Sequence, residues 1–139
     1  MKHIGRLLAI TCLLPLLAAA DDQAKDQGVS LATAPPVVVK AVPESGSDGV
    51  DSAITEIQVT YSKEMADGSW SWSTWGQNTF PQVTGKPHYL ADKKTCVLPV
   101  HLEAGKMYAI WLNSDKFHGF QDAGGIAAVP YLLVFQTKP

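Results

Sequence analysis

The sequence predicts an all-β fold: two antiparallel sheets packed as a sandwich, with about seven short strands. Three observations carry that expectation. Apolar residues recur at every second position, as in Ile57, Val59 and Tyr61 against Glu56, Gln58 and Thr60. The apolar runs are short, and each is bounded by Gly, Pro, Asp or Ser clusters of the kind that form turns. Beyond the N-terminal segment, no stretch sustains the 3.6-residue period of a long helix.

The elements follow in chain order. Val37 to Val42 is a β-branched run entered through Pro35-Pro36 and stopped by Pro43. Glu44 to Ser52 reads as a turn region in which Gly46 and Gly49 can supply positive φ. Ile54 to Tyr61 is a half-buried strand with Val59 and Tyr61 inward. Trp70 and Trp72 alternate with Ser69, Ser71 and Ser73, which marks another strand. Tyr89 to Asp92 is a short strand candidate, and Asp92-Lys93-Lys94 a hairpin turn leading into Thr95 to Leu102. Gly105 turns the chain into Met107 to Asn113. On the same alternation Trp111 is expected inward, with Met107 and Ala109. Tyr131 to Thr137 closes the chain.

Ahead of these strands lies a segment of different character. Lys2, His3 and Arg6 are followed by a largely apolar run from Leu7 to Leu17, and then by Ala18-Ala19-Ala20. That is the pattern of a secretory signal, with cleavage expected after residue 20. The run is too short for a comfortable permanent anchor. Ala9-Ile10-Thr11 before Cys12 makes a poor lipoprotein acceptor site. Residues 21–34 are polar and small and read as a flexible linker, which leaves 35–139 as one domain. The 139-residue chain carries a formal charge of −2; without Lys2 and Arg6, nine basic residues face 13 acids and the charge becomes −4. No arginine follows residue 6, so the basic footprint that nucleic-acid binding requires is missing.

Several short motifs, taken in order, resemble one family. Pro43-Glu44-Ser45-Gly46 is followed by Val50-Asp51 and then by Val59-Thr60-Tyr61-Ser62-Lys63-Glu64-Met65. Downstream come Leu102-Glu103-Ala104-Gly105-Lys106-Met107-Tyr108, Asp122 with Gly124-Gly125, and the closing Tyr131 to Thr137. The set is similar to bacterial Ig-like domains of the kind found in S-layer and other surface proteins. Those domains share the P-x-x-G, V-T-[FY]-S-x-x-[MV] and L-x-x-G-x-x-Y pattern. The resemblance implies an Ig-like sandwich displayed outside the cytoplasm, used as a spacer, adhesion or binding module, with no catalytic residues to carry over. Gly68 to His88 departs from the pattern, being longer and rich in tryptophan.

Chemistry finds few footholds. His88, His101 and His118 form no H-x-H or H-E-x-x-H pattern, and His101 falls opposite the Cys96, Leu98, Val100 set, on the exposed side of its strand. Asp48, Asp51, Asn113, Asp115 and Asp122 make oxygen-rich loops. They lack calcium-loop spacing and suit Asx-turns better. No G-x-S-x-G element occurs, and Cys96, set among Thr95, Val97 and Leu98, reads as a buried structural thiol. No metal or other cofactor is expected. The tryptophans are the feature with a functional edge. Trp70, Trp72 and Trp75 are the candidate ligand-binding residues, because exposed rings stack on sugars or anchor a partner. The opposing expectation is that Trp70 and Trp72 fill the core, with Trp75 the most exposed. Phe117 and Phe120 make a second apolar tip or cap the end of the core.

The sequence therefore predicts an exported, non-catalytic Ig-like module, secreted, periplasmic or on the cell surface. Its expected role at the envelope is structural or protein-interacting. The alternative is a carbohydrate-binding module using a tryptophan platform.

Overall fold

A computed structural model describes residues 28–139 of the chain. The expected signal segment 1–20 and the first part of the expected linker lie outside the described residues. Eight strands form: β1 (Val38–Val42), β2 (Glu56–Tyr61), β3 (Trp72–Thr74), β4 (Gln82–Val83), β5 (His88–Tyr89), β6 (Thr95–His101), β7 (Met107–Leu112) and β8 (Tyr131–Gln136). One sheet runs β1-β2-β6 with β4 and β5 both on the far side of β6, and the other runs β3-β7-β8. Every pairing between these strands is antiparallel.

β4 and β5 are two pieces of one edge. Val83 pairs with Val100 and His88 with Val97; Thr84 N–H still donates to Pro99 O at 3.0 Å, and the pairing lapses over residues 85–87. Counted as one position, they give the four-plus-three arrangement of an Ig-like sandwich, as the sequence predicts.

The inner faces follow the period-two pattern. Ile57 and Val59 on β2 lie opposite Leu98 and Cys96 on β6, and all four are shut off from solvent. Tyr108, Ile110 and Leu112 on β7 meet Leu133 and Phe135 on β8 and close the core from the other sheet. Each such fully buried aliphatic or aromatic side chain contributes roughly 1.5–3 kcal/mol through loss of apolar surface to water.

β7 corrects one expectation. Its inward set is Tyr108, Ile110 and Leu112, whereas Trp111 is half-buried on the outer face and Met107 is 53% exposed. The sequence Met-Tyr-Ala-Ile-Trp-Leu is apolar at every position, so alternation alone gives no parity. Two contacts made by Tyr108 favour its inward placement: its ring stacks on Phe135 at 5.3 Å, and its hydroxyl accepts the Glu103 N–H at 2.8 Å.

The region 44–52 is more than a turn. Residues 46–50 run beside the free edge of β8: Gly46 N–H donates to Val134 O (2.7 Å), Gln136 N–H to Ser47 O (2.8 Å) and Lys138 N–H to Val50 O (2.9 Å). Val50 forms a parallel bridge with Thr137. Gly46, at φ 90°, makes the entry; Gly49 needs no positive φ.

Candidate functional site

The free edges of β3 and β4 do not meet, and between them lies an open cleft of about 410 Å³. Trp70, Trp72, Phe80, Val83, Leu98 and Phe117 give it an apolar lining, with Ser71, Ser73 and Pro87 completing the walls. Among the described residues, no charged side chain lines it.

The tryptophans are held from behind. Trp72 pairs with Leu112 across β3 and β7, and its ring meets the fully buried Phe120 edge-on at 5.4 Å. Trp70, just before β3, tilts against Tyr89 at 6.5 Å, and the Tyr89 hydroxyl donates to Ser69 O at 2.9 Å. Both tryptophans are half-buried: one part of each packs against the core and another lines the cleft.

The alternating serines also have a role. Ser71 Oγ accepts the Gly119 N–H at 2.7 Å, and Ser69 Oγ donates to Gly119 O. These bonds draw the 113–121 loop so close that a Cβ on Gly119 would collide with the Trp70 carbonyl oxygen. Only glycine fits that approach. The same loop is fixed at its base by Asn113, whose amide bonds Phe120 N and O and Ala128 O at 2.8–3.0 Å. As a result Phe120 plugs the core, while Phe117 stands 54% exposed at the cleft rim.

Trp75 is elsewhere. It follows β3 at a bend, is 58% exposed and does not line the cleft. Of the three candidate tryptophans, the structure brings Trp70 and Trp72 to one place and leaves Trp75 apart. It adds Phe80, Val83, Pro87 and Phe117. Lys86, which the sequence reading did not single out, carries its ammonium 6.0 Å from the Trp70 ring centre. Gly85-Lys86-Pro87 was the available signal, since Gly and Pro mark the break between β4 and β5 that places this lysine.

Beneath the cleft lies the one cysteine of the described residues. Cys96 is fully buried, and its thiol is pushed up to about 12 by burial, with the Trp72 indole acting weakly in the opposite direction. Among the described residues the Trp72 Nε1–H finds no hydrogen bond of ordinary geometry, sulfur being a poor acceptor, and the buried Tyr61 hydroxyl finds no partner. Burial raises the Tyr61 pKa well above its ordinary value.

The acids that might have served chemistry are engaged structurally. Asp92 accepts Lys94 N–H, Thr95 N–H and the Thr95 hydroxyl in the β5–β6 hairpin. Asp51 caps Ala53 N–H. Asp122 Oδ1 accepts Gly124 and Ile126 N–H, and its Oδ2 pairs with Lys63. Among the described residues, no three His, Cys, Asp or Glu side chains converge as a metal site would require. No helix among them is long and apolar enough to cross a membrane.

The fold and its aromatic edge define an Ig-like β-sandwich with a side cleft. The family description that matches is the bacterial Ig-like domain, over residues 32–137, and the chain belongs to that family. Among solved structures it is similar to the S-layer protein rSbsC(31-844). Identity there is 18% and the TM-score 0.49, and the match covers 77% of this chain and 14% of that one. The chain thus spans only a small part of that protein. No curated protein matches it.

Proposed function

We propose that this chain is an exported, non-catalytic binding module of the cell envelope, and that it contacts its partner through the aromatic cleft between β3 and β4. One observation carries the reading: half-buried Trp70 and Trp72 and exposed Phe117 are held around an open apolar cavity by a loop built for that position. Isolated surface apolar residues need no explanation, but rings gathered by a dedicated glycine contact do. The engagement of Asp51, Asp92, Asp122 and Asn113 in turn bonds and ion pairs favours a binding role over a catalytic one. Family membership and the signal-like N-terminus support placement outside the cytoplasm.

The test is binding of the purified protein to isolated envelope polysaccharide and envelope protein fractions, read by tryptophan emission. Binding that Phe117→Ala weakens about tenfold while Trp75→Ala leaves it intact supports the cleft. Equal binding by wild type and Phe117→Ala places the contact elsewhere. No binding to either fraction overturns the envelope reading.

A polysaccharide partner is the second reading. It draws on the same rings, since flat aromatic surfaces stack against sugar C–H faces.

A further inference from the structure

We infer that the cleft takes an acidic sugar, a carboxylated pyranose unit of a polysaccharide; this rests on the reading of the cleft as the contact site. Three features fix the ligand's chemistry. The first is the flat apolar lining of Trp70, Trp72 and Phe117 in a cavity of about 410 Å³, within the size range of small-ligand sites. A pyranose offers such a surface its C–H face.

The second is a row of free backbone groups. Asn113 N–H donates to Ser71 O and Trp75 N–H to Ala109 O, while Ser73 lies opposite Trp111. In an antiparallel ladder these three positions are the bonded pairs, so the N–H and C=O of Trp72 and Thr74 point away from β7, along the open side of β3. Donors and acceptors alternate there at the spacing of an extended chain, available to sugar hydroxyls. A purely apolar ligand would leave them unpaired.

The third is charge. The lining is uncharged, yet Lys86 sits over the Trp70 ring beside Pro87, and Lys116 adjoins Phe117. The segments flanking the cleft also bring two acids, Asp67 and Asp115, and among the described residues Lys86 is the ion set against a ring of the lining. One ammonium set over a ring of an otherwise uncharged aromatic cleft is complementary to an anionic group on a bound ligand. A sugar held against Trp70 would place its carboxylate beside the Lys86 ammonium.

The experiment is calorimetric titration of the purified protein with a galacturonic acid oligomer and with a neutral glucan oligomer of equal length, at low and at physiological salt. The uronic acid oligomer is expected to bind about fivefold more tightly, with the difference shrinking as salt rises. Lys86→Gln is expected to abolish that preference, bringing the uronic acid oligomer down to the affinity of the neutral one, and Lys138→Gln to leave the preference intact. Phe117→Ala is expected to weaken both oligomers. Equal affinities in the wild type, or a loss in Lys138→Gln matching that in Lys86→Gln, overturns the inference. Binding of neither oligomer, with Phe117-dependent capture of an envelope protein, overturns the acidic-sugar ligand and leaves the cleft as contact site standing.

Discussion

Lys63 Nζ lies 2.7 Å from Asp122 Oδ2 and also donates to the carbonyls of Ala32 and Ala34, at 2.9 Å each. One ammonium thus joins the end of β2, the 113–128 region and the segment entering β1. Asp122 is 5% exposed and the Lys63 side chain 16%, so the pair is partly shielded from water. Removing one partner of such a pair leaves a charge buried alone. Lys63→Met is expected to cost about 3 kcal/mol in urea unfolding. It should also speed amide exchange in residues 32–34, the part of the expected linker that Lys63 holds.

Acid should weaken the same contact. Lys63 first, then the Ile126 and Gly124 N–H groups, hold the Asp122 carboxyl below its ordinary value of 3.8. The folded state therefore binds this proton less readily than the unfolded chain. The resulting stability is complete above pH 3.8 and disappears as pH falls through the lower, folded-state value. Thermal melts between pH 5 and pH 2 should show a smaller loss in Asp122→Asn than in wild type. Parallel curves would refute the assignment.

Gly119→Ala places a methyl group against the Trp70 carbonyl, which belongs to the backbone and has nowhere to go. A loss of about 3 kcal/mol is expected, at the upper end for overpacking. Because the loop must lift from Ser69 and Ser71, tryptophan emission should also shift to the red. A stable variant with unchanged emission would mean that the close approach is not required.

The two phenylalanines of that loop should behave oppositely. Phe120 touches both Tyr61 (5.2 Å) and Trp72 and is fully buried, so Phe120→Ala should cost about 3–5 kcal/mol. Phe117→Ala, at the exposed rim, should alter stability by no more than about 0.5 kcal/mol. Chemical denaturation of the pair gives the comparison directly.

Cys96 should resist modification while the protein is folded. With its thiol at about 12 and no exposed surface, negligible thiolate is present at pH 8. Labelling with a maleimide should be slow in buffer and complete in denaturant. Rapid native labelling would show that β6 opens.

The two-sheet plan was legible above all in β2, where polar and apolar residues alternate at every position and period two is unambiguous. Ile57, Val59 and Tyr61 point where the alternation puts them. β7 was not legible in parity, since an all-apolar strand fits either way, and the Tyr108 contacts that favour one lie across the fold. β4 and the 46–50 strip were missed because backbone pairing with β6 and β8 makes them, and backbone pairing leaves little trace in side-chain identity. The rings of the site were visible as Trp70, Trp72 and Phe117. Their gathering was not, because it depends on Gly119 meeting Ser69 and Ser71 from some 50 positions downstream. Lys86 was overlooked, although Gly85 and Pro87 on either side of it mark the break that places it.

The strip beside β8 matters most when many copies stand close together. A bare β8 would offer the backbone of Val134 and Gln136 to any extended chain nearby, and neighbours on a crowded surface could zip into one another edge to edge. Residues 46–50 already occupy those groups, so β8 cannot serve as the seam of such a growing sheet.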